Sequence, residues 1–157
     1  MQEKETINDA GSENPLNLSA KGRLIALDPG TKRIGVAVSD EDRIICRPLP
    51  IIKRSSWKTL VAEVRAVLTE FDAKGLVIGL PLESDGSESE MSREARDMAR
   101  KFQLTFEIPV FLQDERVTTY EAKGRLWHLG QNPQHVDSEA AAIILSDFLG
   151  DRSKRDL

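Results

Sequence analysis

Cysteine is almost missing from this chain: Cys46 stands alone among 157 residues. A lone thiol closes no internal disulfide, which fits a reducing cytoplasm. In an apolar stretch it reads as a small core residue rather than a nucleophile. Histidine is nearly as scarce. His128 and His135 are not at zinc-protease spacing and have no paired Cys to join them, which argues against a zinc centre. No apolar run approaches the length of a membrane-spanning helix. The charged start Met1-Gln2-Glu3-Lys4-Glu5 lacks the apolar core of a signal peptide. The expectation is a cytoplasmic protein without a membrane partner. An excess of positive charge is lacking too, since the formal net charge is −4. Part of that imbalance lies in residues 1–20, where Glu3, Glu5, Asp9 and Glu13 face Lys4 alone; the remainder holds 22 acids and 21 bases. A nearly neutral domain can still bind nucleic acid through a basic stripe around an acidic metal site, so the sum neither requires nor excludes that partner.

The length predicts one domain. Residues 1–21 are polar and turn-forming and are expected to be a flexible tail. The folded domain spans 22–150, and 151–157 form a short basic tail with Arg152, Lys154 and Arg155. Strands are expected at about Arg23–Asp28, Ile34–Ser39 and Ile44–Leu49, with Gly35 marking a close backbone approach. Trp57, Leu60, Val61, Val64, Val67, Leu68 and Phe71 then recur at helical spacing. Ser55 or Ser56 is the expected cap, and Gly75 the stop. Leu76–Leu80 reads as a buried strand. A second helix follows, with Met91, Ala95, Met98, Ala99 and Phe102 inward. Val110–Leu112 is the fifth strand. Thr118-Thr119-Tyr120-Glu121 has the spacing of a helix start, and that helix ends near Gly130. Pro133 is expected in a turn. A last helix runs from Asp137 or Ser138 to about Leu149, burying Ala140, Ala141, Ile144, Leu145 and Phe148. A meander followed by alternating helices and strands makes an α/β fold with a mixed sheet and helices on both faces.

Three acidic places stand where regular structure starts or stops. Asp28 ends the apolar run Leu24–Leu27, Asp114-Glu115 follows the fifth strand, and Asp137 opens the last helix. The carboxyl ends of parallel strands share one edge of a sheet, where ligands bind. Asp28 and the Asp114-Glu115 pair meet there if the first and fifth strands lie no more than one strand apart, and Asp137 joins them if its helix packs its N-terminus over that edge. Clustered carboxylates repel each other, whereas with one or two Mg²⁺ they form a site for phosphodiester hydrolysis. Each also has a local explanation: Asp28 suits the first position of a turn, Asp137 suits a helix cap, and Asp114-Glu115 suits a solvated strand end. Lys32, Arg33 and Arg116 are the cations expected to hold a nucleic-acid backbone. The loop Ser84-Asp85-Gly86-Ser87 offers main-chain N–H groups and Ser87 to a phosphate, or is a plain surface turn.

Four segments resemble the YqgF family, also called RuvX, in order and over almost all of Gly22–Leu149. They are Leu27–Asp40, Val77–Leu82 with Asp85-Gly86, Asp114–Thr119, and Val136–Leu145. The resemblance implies an RNase H-like fold, with a five-stranded sheet in the order 3-2-1-4-5. It implies a nuclease using Mg²⁺ or Mn²⁺, one or two ions, with Asp28, Glu115 and Asp137 as catalytic and metal-binding acids. Asp114 is then their neighbour or an alternative ligand. In related resolvases the second acid lies on the fourth strand, where this chain has Gly79. The implied function is 5′-end processing of precursor 16S rRNA, with the small ribosomal subunit as a partner. The alternative is Holliday junction resolution on branched DNA. No dimer seam is visible, so a monomer or weak homodimer is expected. Two further readings, half of a sugar-kinase-like ATPase and a binding module without catalysis, are set against these by the short length and the intact acid set.

Overall fold

The computed structural model describes residues 20–115 and 133–156, with side chains from 136 to 150 in the last of these stretches. The expected tail at 1–21 and the expected helix from Thr118 to Gly130 lie outside the described residues, apart from Ala20 and Lys21. The elements are β1 (Leu24–Pro29), β2 (Arg33–Ser39), β3 (Cys46–Lys53), α1 (Trp57–Glu70), β4 (Gly75–Leu80), α2 (Glu90–Thr105), β5 (Val110–Asp114) and α3 (Pro133–Asp156). They build one five-stranded sheet in the order β3-β2-β1-β4-β5. β1 pairs antiparallel with β2 and parallel with β4, and β4 pairs parallel with β5. β4 therefore separates β1 from β5, which meets the condition for the acids to share an edge.

Side-chain alternation divides the core. Ile25, Leu27, Leu76 and Ile78 face α1 and α2, packing on Leu60, Val64, Met98 and Phe102. Leu24, Ala26, Val77 and Phe111 face α3, packing on Ile144, Leu145 and Phe148. Helices thus cover both faces, and β1 and β4 are buried along their whole lengths. In the first layer Phe102 stacks between Trp57 and Phe106, with ring centroids 5.0 and 5.4 Å away. Burying a side chain of that size contributes roughly 1.5–3 kcal/mol.

Several boundaries differ from the sequence expectation. β3 begins at Cys46 and runs to Lys53 instead of covering Ile44–Leu49. Ile44 and Ile45 lie before it, 77% and 65% exposed. Pro48 and Pro50 did not end the strand because β3 is a sheet edge, where a missing N–H costs little. Ser56 caps α1, but the chain turns away at Asp72, whose φ of 50° supplies the left-handed conformation expected of a glycine. Gly75 is instead the first residue of β4. In α2, Ser92 takes an inward position through a reciprocal cap with Ser89, and Met91 turns outward, 43% exposed. Pro133 is the first residue of α3 rather than part of a turn, a place where its missing N–H is harmless. The helix continues through Asp156, past the end expected near Leu149. No helix among the described residues is long and apolar enough to cross a membrane.

Candidate active site

The early start of α3 changes the meaning of Asp137. It lies one turn inside the helix, so capping does not explain it. Its position is set by Gly35. The α3 backbone at Asp137 and Ser138 rests directly on that glycine, and a Cβ there would collide with the Asp137 carbonyl. The close approach expected at Gly35 is therefore a helix laid on bare strand. Ser138 fastens it. Between Ile34 and Val36 the β2–β3 register slips in a bulge. The Ser138 hydroxyl, 3% exposed, donates to the Leu49 carbonyl at 2.6 Å and accepts from the Val36 N–H at 3.3 Å. It supplies both strands with partners at the slip.

Asp28 pairs across the strands with Gly35 and is 9% exposed. It has the parity of Leu24 and Ala26, so its carboxylate faces the α3 side of the sheet. Leu27 pairs with Ile78, and one residue further along each strand stand Asp28 and Gly79. Glu115, 5% exposed, follows β5, and its N–H donates to the Leu80 carbonyl at 3.1 Å. Its carboxylate lies over Gly79: a Cβ there would sit 3.1 Å from Oε1 and 3.2 Å from Cδ. The β5 acid thus reaches across to the strand-four position that this chain leaves bare. Asp28, Glu115 and Asp137 all belong to one face, at the carboxyl end of the parallel strands, around the two glycines. Asp114 has the opposite parity, that of Leu112, and points to the other side.

The donors are all carboxylate oxygens, a set that suits Mg²⁺ or Mn²⁺ and not zinc. Asp137 is engaged by Arg33, whose Nε lies 2.8 Å from its Oδ2. Among the described residues no three His, Cys, Asp or Glu side chains form a group that could hold a metal ion as they stand.

The remaining candidates fare differently. Lys32 is exposed in the β1–β2 turn, whereas Arg33 serves Asp137 rather than standing free at the edge. In the 83–88 loop the N–H groups of Glu83 and Gly86 bond within the loop, and that of Ser87 goes to Asp85 Oδ1 at 2.9 Å. Those three main-chain donors are used within the loop. Arg116 and His128 lie outside the described residues, as does the side chain of His135. The Cys46 thiol is pushed up to about 11 by burial, with the Asp40 carboxylate adding to the effect. Such a thiol is a poor nucleophile, in line with its reading as a core residue. Lys53 and Arg54 were missed from sequence. They mirror Lys32-Arg33 across the β2–β3 ladder, a relation visible only once β3 is known to extend past Pro50.

The RuvX family model, described as Holliday junction resolvase, matches residues 22–151. The chain belongs to the RuvX family. Among its RuvX relatives, "Putative pre-16S rRNA nuclease" of Anaeromyxobacter sp. is 38% identical over 134 residues, covering 83% of this chain and 98% of the relative. The protein of the same name in Novosphingobium aromaticivorans is 41% identical over 132 residues, covering 82% of this chain and 84% of the relative. Of solved structures, T. thermophilus RuvC in complex with Holliday junction substrate matches with a TM-score of 0.52 at 18% identity, covering 83% and 96% of the two chains. The yeast mitochondrial Holliday junction resolvase Ydc2 matches with a TM-score of 0.54 at 8% identity, covering 98% and 87%. These two likenesses establish the RNase H-like fold of the RuvX chain. The family and fold expected from the four motifs both hold.

Proposed function

We propose that this chain is a divalent-metal-dependent nuclease that trims the 5′ end of precursor 16S rRNA, with Asp28, Glu115 and Asp137 as its metal ligands. One observation carries the reading. Two carboxylates from segments 87 residues apart, Asp28 and Glu115, are both more than nine-tenths buried on the same face of the sheet, on either side of the end of β4. Two carboxylates gathered on one edge repel each other, and a divalent cation between them relieves that repulsion, so the pair suits a cation site. The substrate is supported by the relatives' names.

The chain's own residues divide the work. Strand pairing fixes Asp28, the bare Gly79 seats Glu115, and Gly35 with Ser138 holds the turn of α3 that carries Asp137. A bound Mg²⁺ or Mn²⁺ would activate the attacking water and steady the leaving oxygen. Bringing Asp137 onto such an ion means exchanging Arg33 for it. A cytoplasmic location and an encounter with the small ribosomal subunit belong to this reading.

Incubation of the purified chain with 5′-extended 16S precursor, with and without Mn²⁺, tests it by mapping the ends. The expected result is a metal-dependent shift of the 5′ end that Asp28→Asn abolishes while the protein stays folded. Cleavage retained in Asp28→Asn removes the assignment. The family description favours a second reading, hydrolysis of a four-way DNA junction by the same acids. Junction cleavage without precursor cleavage at equal salt would select it.

A further inference from the structure

Four cations meet at one corner of the sheet. Antiparallel pairing sets Arg33 opposite Lys53, and the Arg54 N–H donates to the Lys32 carbonyl at 2.9 Å. Arg54 also donates from Nη1 to the Gly30 carbonyl at 2.6 Å. The corner is therefore tied to the turn that follows Asp28. Two of the four are committed, Arg33 to Asp137 and Arg54 to Gly30. Lys32 and Lys53 are exposed, as is Lys58 in the first turn of α1. None of these three lysines makes an ion pair among the described residues.

The other end of the same strands is the reverse. There the β2–β3 turn is acidic, Asp40-Glu41-Asp42, and its cations are occupied. Lys21 pairs with Asp42 at 2.7 Å, Arg23 donates to the Ser39 carbonyl at 3.1 Å, and Arg43 donates to the Gly22 carbonyl at 2.8 Å. Acidic side chains thus gather at the Asp40-Glu41-Asp42 end of these strands, and Lys32, Lys53 and Lys58 stand toward the end that carries Asp28. Glu94 is the acid that lines a cleft with Arg54. Exposed lysines without acid partners attract a polyanion, whose binding releases counterions.

We propose that Lys32, Lys53 and Lys58 form a phosphate-binding ledge that leads the nucleic-acid backbone away from the Asp28 edge. The proposal rests on the nuclease reading and adds to the expected Lys32 two residues that the sequence did not single out, Lys53 and Lys58. The ledge contacts phosphate and not sugar, so RNA and DNA strands of one sequence bind it alike.

The test is a salt titration of binding to a short single-stranded RNA, and to its DNA counterpart, in an Asp28→Asn background. Lys53→Ala and Lys58→Ala should each lower the slope of log K against log salt by about 0.7–1. Lys74→Ala, an exposed lysine at the opposite end paired with Asp72, should leave the slope unchanged. Equal slopes for all three variants, with unchanged melting temperatures, overturn the ledge. Precursor cleavage by the chain with Asp28 intact is measured beside it. Cleavage with equal slopes removes the ledge alone. Lowered slopes without metal-dependent cleavage leave the ledge standing and remove the nuclease reading.

Discussion

Arg33 and Asp137, 104 residues apart in sequence, meet through Nε and Oδ2 at 2.8 Å on the face that also carries Asp28 and Glu115. The pair is partly exposed, so its own contribution to stability is small, within about 1 kcal/mol. Its consequence for the site is larger. The guanidinium already neutralises the acid that the proposed divalent ion would take, and would add a positive charge beside that ion. Arg33→Gln should therefore raise Mn²⁺ affinity in the absence of nucleic acid, by about tenfold if removing the charge is worth about 1.4 kcal/mol. The Mn²⁺ concentration needed to shift the melting temperature reads this directly. Weaker Mn²⁺ binding in Arg33→Gln would show that the arginine holds Asp137 in place for the ion instead of competing with it.

The two glycines under the acids should respond unequally to a methyl group. At Gly35 the added carbon meets the α3 backbone, which cannot move without lifting the helix. At Gly79 it meets Ile144 Cδ1 at 2.7 Å and the Glu115 carboxylate at 3.1 Å, both ends of side chains. Gly79→Ala should cost about 1–3 kcal/mol, in the usual range for overpacking, and displace the Glu115 carboxylate. Gly35→Ala should cost more. Urea denaturation of both variants ranks them, and a Gly35→Ala chain as stable as Gly79→Ala would contradict helix-on-strand contact. Gly79→Ala should also weaken Mn²⁺ binding in the folded protein.

Much of this site could be read before the fold was known, because strand ends and glycines leave marks in sequence. The apolar run before Asp28 announced a central strand, and Gly35 announced a close neighbour. The identity of that neighbour was hidden, since contact between positions 35 and 137 is a matter of tertiary packing. The choice between Asp114 and Glu115 needed the register of β5, which fixes the face each one takes. Asp137 looked like a cap because Asp commonly is one, and only the helix start at Pro133 removed that explanation. The Lys53-Arg54 part of the cation corner escaped notice because β3 was expected to end near Leu49, and the edge position that lets it run on past Pro50 is a property of the whole sheet. In α2 the cap chemistry of Ser89 and Ser92 overrode hydrophobicity, turning Met91 out and Ser92 in.

Glu88 supplies a pH test away from the site. Hydrogen bonds from Arg96 at 2.7 Å and from Ser92, also at 2.7 Å, hold its carboxyl down to about 2, below the usual 4.5. The folded value is depressed, so the interaction is fully present above about pH 4.5 and is lost as pH falls toward 2. The Glu88 carboxyl should titrate near pH 2 by NMR. In Arg96→Gln the midpoint should move back toward 4.5. A wild-type midpoint near 4.5 would mean that water screens the pair and that it does not brace the start of α2.

Ser138 decides whether the bulge or the helix positions Asp137. Its hydroxyl completes two buried backbone groups, the Leu49 carbonyl and the Val36 N–H, at the place where β2 and β3 slip out of register. Ser138→Ala removes one hydroxyl and strands both groups, which should cost about 1–3 kcal/mol. Ser138→Cys keeps a weak donor in a larger atom and should restore little of that loss. Because Ser138 follows Asp137 directly, the same variant should loosen the helix turn against Gly35. Hydrogen exchange should quicken at Val36 and at the amides of the first turns of α3, while β4 amides stay protected. Uniform acceleration across the sheet would mean that Ser138 supports only global stability and does not hold the acid in place.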